Sequence, residues 1–466
     1  TIDQVRDTTQ TVYDSIGRVV KTIGPLHETD SLTYDGLYLT QVRDAKGNVY
    51  KTWHNALGWT DSTTDPVGLV DHYTYDLNGN RSSWTNRNGR TVTYTYDALD
   101  QPTSVVADGK TTTYFYDPAG RYQVATDSES VDTLRFDIAD RPWLAISCRV
   151  LVSGNAPQCF RDSSVYEIRD VRTQTVLKWG STQFLVGHHY DVHLLLDSLT
   201  PGHLNTQTGQ PVTFTYSAEA LDSIRTLTGL NNLTMTHSYP WTHRTDQVQF
   251  SDPTLASTLG TAYNFDNAEH MATRYHGSLA NPDTSRSFSY GRRGDLVQYS
   301  DTIHHYTTSC TWVFGGRVCS DPQDQPSVIG STTYTYDSVG NRKDPSAPNG
   351  GLDAANRQRR WQNIRMDYDA AGNMTAKRTL STTDTTKVLR RDSLFWSALG
   401  QLDSVRTRDS TGTLTGRVGF GYDGWGRRVR KSTANGANRY LWDGQSLLAQ
   451  LDTLGNAVAG YTYYPE

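Results

Sequence analysis

The sequence is poor in the features that mark most functional classes. No apolar stretch approaches the length a bilayer-spanning helix needs, and the first residues, TIDQVRDTTQ, carry neither a starting Met nor the pattern of a secretory signal. The chain therefore reads as a processed or excised piece whose targeting signal lay elsewhere. Charge of neither sign dominates: 44 basic against 49 acidic residues leave a net of −5, which gives no footprint for nucleic acid or an anionic membrane. The one dense basic run, Arg427 to Lys431, follows a turn signal, alternates around Val429, and reads as a solvated strand face.

Cysteine is scarce and locally paired. Cys148 and Cys159 lie in SCRVLVSGNAPQCF, and Cys310 and Cys319 in SCTWVFGGRVCS. Each pair encloses β-prone residues and a Gly-containing turn, as a bond across a hairpin would. Four cysteines allow three connectivities, of which the local one needs no long-range geometry; free buried thiols are the alternative. Two such staples point to an oxidising, exported location. Neither spacing fits a zinc pattern.

Motifs of chemistry are equally thin. In HHYDVH, His189 and His193 have the spacing of zinc-protease ligands, but no Glu follows the first His, and the surroundings read as strand; His188, His189 and His193 are structural or surface residues on this reading. Asp76, Asn78 and Asn80 begin like a calcium loop that lacks its twelfth-position acid, and a turn accounts for Asp76. Asp-Pro pairs at Asp65, Asp117 and Asp252 also read as turns. There is no GxSxG elbow and no phosphate loop ending in Gly-Lys-Ser/Thr, so no catalytic, cofactor or metal site is expected. The sequons at Asn232 and Asn373 matter only in a secretory-pathway host.

What is abundant is Tyr, Asp and Gly in rhythm. Only 36 % of residues are hydrophobic, yet 28 Tyr and 11 Trp supply half-polar surface suited to sheets wetted on one side. At 466 residues the chain exceeds one ordinary core, so several domains or a repeat is expected. Asp44 to Gly47, Asn55 to Gly58, Asp65 to Gly68, Asp76 to Gly79 and Asn86 to Gly89 share one spacing, and Asp97 to Asp100 shares it without the Gly. The starts advance by alternate steps of 11 and 10 residues. Asp or Asn at the first position and Gly at the fourth are type I turn preferences. Between the turns the period is two: in RTVTYTYD, Val92, Tyr94 and Tyr96 share one face and Thr91, Thr93 and Thr95 the other. Strand, turn, strand and turn in 21 residues make an antiparallel meander.

Units of the same kind recur at Tyr13-Asp14 with Gly17, Tyr75-Asp76 with Gly79, Tyr96-Asp97, Tyr116-Asp117 with Gly120, Phe136-Asp137, Phe265-Asp266, Tyr336-Asp337 with Gly340, Tyr368-Asp369 with Gly372, and Tyr422-Asp423 with Gly426. Tyrosines at equivalent levels are expected to stack, with hydroxyls reaching solvent or backbone; each aromatic pair is worth about 0.5–1.5 kcal/mol beyond burial. Residues 1–140 are regular repeats, 141–260 divergent ones with longer strands or loops, a separate small domain being the alternative, and 261–466 repeats again. SDPTLAS, DPQDQPSVIG and DPSAPNGG read as loops.

These residues carry a resemblance. YDLNGNRSSWTNRNGRTVTYTYDALDQ, YDPAGRYQ, YTYDSVGNRK and YDAAGNMTAKR resemble the RHS or YD-repeat proteins, which include bacterial polymorphic toxins, the C component of Tc toxins and the teneurins. The resemblance covers residues 1–140 and 331–466 best. It implies an all-β fold, a long antiparallel ribbon of YD-repeat hairpins spiralling into a hollow shell, here a partial one. In bacterial members the shell encloses a C-terminal toxin, often released by self-cleavage in a core segment. RYLWDGQSLLAQLDTLGNAVAGYTYYPE is similar to the approach to that segment; the chain stops where the core would begin, and the cleavage chemistry maps onto no residue here.

The first functional reading is a noncatalytic, exported wall that encapsulates a C-terminal effector, with that effector and a delivery apparatus as partners. An extracellular adhesin or fibre binding surface glycans or proteins through aromatic sheet faces is the alternative. A glycosidase on a propeller is the enzyme option, but it lacks a blade-closing signature at 40 to 50 residues.

Overall fold

Alternating apolar and hydroxylic residues between Asp-x-x-Gly turns fold as the period requires. The computed structural model describes residues 8–149, 158–167, 171–179 and 326–460 without residue 445, and, between 182 and 324, mainly strands. Among the described residues regular structure is almost wholly antiparallel β, with one short 3-10 turn at Pro348–Gly351. In Thr91–Tyr96, Val92 is fully buried, Tyr94 and Tyr96 are half-buried, and the three threonines are exposed.

By contacts the chain forms two units. One comprises Thr1–Thr29 and Val186–Arg342. Within it Leu259–Phe265, Met271–Ser278, Pro282–Tyr290, Leu296–Ile303 and Ser327–Thr333 pair in succession, each antiparallel to the last. The final pairing bypasses a hairpin, Cys310–Val313 with Gly316–Cys319, in which Cys310 and Cys319 are register partners; their side chains lie outside the described residues. The segment DPQDQPSVIG is not all loop, because Ser327–Thr333 is a strand: its Val-Ile pair offers β-prone residues to the free edge of Leu296–Ile303.

The other unit comprises Asp30–Leu185 and Lys343–Glu466. Its first ribbon is an unbroken antiparallel meander from Thr29–Asp35 to Arg172–Trp179. Its second is a 10-stranded sheet from Arg360–Trp361 to Ala457–Gly460. The two ribbons share small cores: Val92 and Ala107 pack with Ala398, and Phe160 and Leu177 with Leu441, Ala449 and Leu451.

The edges of the first ribbon differ. Turns at Asp44, Asn86 and Asp108 bond to the second ribbon: Asn356 donates to Asp44, Asn86 to the Ala398 carbonyl, and the Ala398 N–H to Asp108. The alternate turns instead expose apolar tips, with Leu57 at 68 %, Leu77 at 101 %, Leu99 at 76 % and Ile138 at 107 % accessibility. DPSAPNGG is built around Asp344, whose carboxylate is 1 % exposed and accepts from Ser346 and from the Gln362 N–H, so this loop is a fixed corner.

Candidate functional site

The repeated turn is the smallest unit with a definite geometry. At Asp76 the Gly79 N–H donates to the Asp76 carbonyl (3.2 Å) and the Asp76 N–H to the Asn80 carbonyl (2.9 Å). Asp76 Oδ1 accepts the N–H groups of Asn78 and Asn80, both at 2.9 Å, and Oδ2 accepts the Asn80 amide at 3.1 Å. Gly79, at φ +91°, supplies the left-handed residue of a type I turn closed by a bulge, and the register shifts between Thr74 and Tyr75. Asp14, Asp97, Asp117, Asp337, Asp423 and Asp452 repeat the two N–H bonds to Oδ1, whereas at Asp369 the Ala371 N–H donates to Asn88 Oδ1 and only the Asn373 N–H to the aspartate. Where Gly is missing, Asp100 and Asp140 take the left-handed place at φ +59° and +62°. The fifth residue completes the motif: Arg18, Arg121, Arg141, Arg357 and Arg427 form ion pairs with the turn Asp, and Asn48, Asn80, Asn341, Asn373 and Asn456 hydrogen bonds. The bond from Arg121 holds the Asp117 carboxyl below its usual range, and Arg141 does the same for Asp137.

The tyrosine before each Asp binds one repeat to the previous one. Its hydroxyl donates to the carbonyl five residues past the start of the preceding turn on that edge: Tyr96 to Arg81 (3.0 Å), Tyr116 to Pro102 (2.8 Å), Tyr422 to Leu402 (3.1 Å), Tyr368 to Gln358 (2.9 Å) and Tyr336 to Leu296 (2.6 Å). Tyr75 reaches Thr60 in the same way (2.7 Å). Tyr13 lies on Gln10–Tyr13 and is 58 % exposed, with Gly17 at φ +86° closing its turn. Among the described residues, motif tyrosines that meet another ring meet one at a different position, Tyr75 with Trp59 and Tyr116 with Tyr122, in place of the expected stack of successive motif tyrosines. The repeat step explains this, because the chain leaving the preceding turn presents the carbonyl next after the turn's fifth residue to the hydroxyl.

Sequence reading missed the seam between the ribbons of the Asp30–Leu185 and Lys343–Glu466 unit. Asp132 and Arg149, each 1 % exposed, form an ion pair at 2.8 Å, and Ser147 donates to the same Asp132 oxygen. Arg149 also approaches Asp423 at 4.0 Å, and Arg430 donates to Glu129 across the seam at 2.8 Å. The run Arg427–Lys431 is therefore not a solvated face: Arg427 is paired to fully buried Asp423, Arg430 to Glu129, Val429 is buried, and Arg428 remains exposed. Asp423, four residues before it, holds Arg427, and the Glu129 carboxylate, invisible at a separation of 301 residues, outcompetes water for Arg430. Burial raises the Asp423 carboxyl against the pull of Arg427, and pushes Asp127 up to about 6 against the N–H bonds of Glu129 and Ser130. A cavity of about 380 Å³ contains Asp108, Asp127, Glu129, Asp423, Tyr94 and Tyr114. A second, of about 420 Å³, adjoins Asp132.

Cys148 and Cys159 are bonded across the hairpin of Pro142–Arg149 and Gln158–Tyr166. His188 and His189 lie on the strand Thr182–Tyr190; His193, Asp252 and SDPTLAS fall outside the described residues, apart from Ser251 at a strand end. Among the described residues no three His, Cys, Asp or Glu side chains group as metal ligands would.

Residues 75–107 match the family model described as RHS Repeat. Over 98 % of its length the chain is 23 % identical to the double-stranded DNA deaminase toxin A of Burkholderia cenocepacia (strain H111), covering 35 % of that toxin. Among solved structures it is similar to the crystallised TcdB2-TccC3-Cdc42 (13 % identity, 99 % of this chain, 30 % of that one, TM-score 0.47). It is also similar to the Photorhabdus luminescens Tc holotoxin pore (13 % identity, 98 % and 30 % coverage, TM-score 0.42). The chain spans about a third of the length of these proteins.

Proposed function

We propose that this RHS-repeat chain is a noncatalytic length of wall in an exported protein, and that the wall encloses a C-terminal toxin or effector until delivery. The observation that carries the reading is the use made of the repeat's polar groups. Each recurrent Asp is occupied by its own turn, and the motif tyrosine hydroxyls by the neighbouring repeat, so the residues that look like chemistry are consumed in holding an extended sheet together. An antiparallel ribbon whose strands pair on both sides leaves few edges open, which suits a continuous enclosure. The relation to a deaminase toxin over 98 % of the chain supports a toxin context, and the effector and the apparatus that receives it would be this wall's partners. The cross-hairpin bond at Cys148 and Cys159 supports assembly in an oxidising compartment.

The test is electron microscopy of the complete protein together with limited proteolysis. The expected result is a hollow particle whose C-terminal domain resists protease until the wall is opened by denaturant. A solid rod, or a C-terminal domain cleaved as fast as the same domain expressed alone, would overturn the reading.

A further inference from the structure

The cavity of about 420 Å³ beside Asp132 has the size of a small-ligand site and an uneven chemistry. Its aromatic lining comes from both ribbons: Phe136 and Trp143 from the first, Trp425 and Trp442 from the second. Two carboxylates, Asp132 and Asp162, also line it. Asp132 is 1 % exposed; its Oδ1 accepts from Ser147 and Arg149, while its Oδ2 receives no hydrogen bond from any described residue. A buried carboxylate oxygen in that position favours a donor.

The one cationic lining residue does not offer its charge to the space. Arg427 Nε and Nη2 bond Asp423 and its Nη1 bonds the Gly444 carbonyl, while the guanidinium lies over Trp425, 4.7 Å from the ring centroid. At the same wall Arg121 lies 4.6 Å over Phe136. The lining thus brings two carboxylates, one of them balanced from behind by Arg149, against one engaged guanidinium, and electron-rich rings of a kind that already take guanidinium groups in this fold.

We propose that this pocket binds the basic side chain of a polypeptide, an arginine or a lysine, with its cation between the Asp132 carboxylate and the indoles of Trp143 and Trp442. A sugar is the poorer fit, because its hydroxyls need donors as well as acceptors and the pocket's strong donors are engaged. The site belongs to the seam, so the inference stands apart from what the wall encloses.

The experiment is ligand-observed NMR titration of the whole chain with N-acetylarginine amide, N-acetyllysine amide, the uncharged isostere N-acetylcitrulline amide, and cellobiose. Saturable binding of both basic probes is expected, about tenfold tighter than citrulline, since the uncharged isostere loses the attraction of the cation to the rings and the carboxylate. Asp132→Asn should remove most of the preference for charge. Trp143→Ala, at a position 40 % exposed and tolerant of truncation, should weaken the basic probes about two- to fivefold while circular dichroism is unchanged. Citrulline binding as tightly as arginine, cellobiose saturating in place of the basic probes, or wild-type affinity in Trp143→Ala would each overturn the proposal.

Discussion

Asp76 accepts three hydrogen bonds within its own turn, while Leu77, one residue on, is fully exposed at 101 %. Replacing the two should therefore have opposite weight. Asp76→Ala leaves the N–H groups of Asn78 and Asn80 without their acceptor and should cost about 1–2 kcal/mol, whereas Asp76→Asn keeps an oxygen at Oδ1 and should cost less than half of that. Leu77→Ser should stay within ~0.5 kcal/mol. Hydrogen exchange of Val70–Tyr75 and Arg81–Thr85 reads all three as local opening free energies. Tyr96→Phe is a second case at this scale. It removes only the bond to the Arg81 carbonyl, so a loss of about 0.5–1.5 kcal/mol with an unchanged exchange pattern is expected. The role of Asp76 was legible in the sequence because an Asx turn is written in five consecutive residues. The partner of Tyr96 was not, since it depends on the register of Arg81–Thr85 with Thr91–Tyr96 and on the bulge that sets where Arg81–Thr85 begins against Val70–Tyr75.

Among elements, the turns differ by what lies behind them. Gly68 and Gly79 close equivalent turns at φ +86° and +91°, so any side chain at either place is strained by about 1–2 kcal/mol. A Cβ at Gly68 would meet open space, but at Gly79 it would stand 2.9 Å from Cζ2 of Trp59. Gly79→Ala should consequently destabilise by a further ~1–3 kcal/mol, and Gly68→Ala by the backbone cost alone. Differential urea unfolding of the two variants measures the gap; equal losses would mean that the indole moves aside freely. The alternate steps of 11 and 10 residues told which turns share an edge of the ribbon. They did not tell that the edge with Asp44, Asn86 and Asp108 is bonded to the second ribbon and the edge with Leu57, Leu77 and Leu99 is bare, because turn motifs of both edges read alike.

On the scale of the whole molecule, the same carboxylate type titrates in two directions, and their opposition sets the pH response. Turn aspartates such as Asp14, Asp117 and Asp137 are held below the ordinary value of 3.8 by their own N–H and Arg partners. Their contribution is present above that value and is lost as pH falls through the folded pKa. In the seam burial has the reverse effect, raising Asp423 and pushing Asp127 to about 6, so the folded state takes up protons there more readily than the unfolded chain. A raised carboxyl destabilises the fold at neutral pH, and that penalty is relieved as pH falls from above 6 toward 3.8. Glu129, Arg430 and Arg427 face the same region, and the pull of Arg427 on Asp423 is already set against the burial that raises it. The unit holding the seam should therefore be most stable between about 4 and 6. Its urea midpoint should rise between pH 7.5 and pH 5, and Asp127→Asn should raise the midpoint at pH 7.5 and flatten most of the slope, leaving the share due to Asp423. A variant that keeps the wild-type slope would show that Asp127 does not set the pH response of the seam.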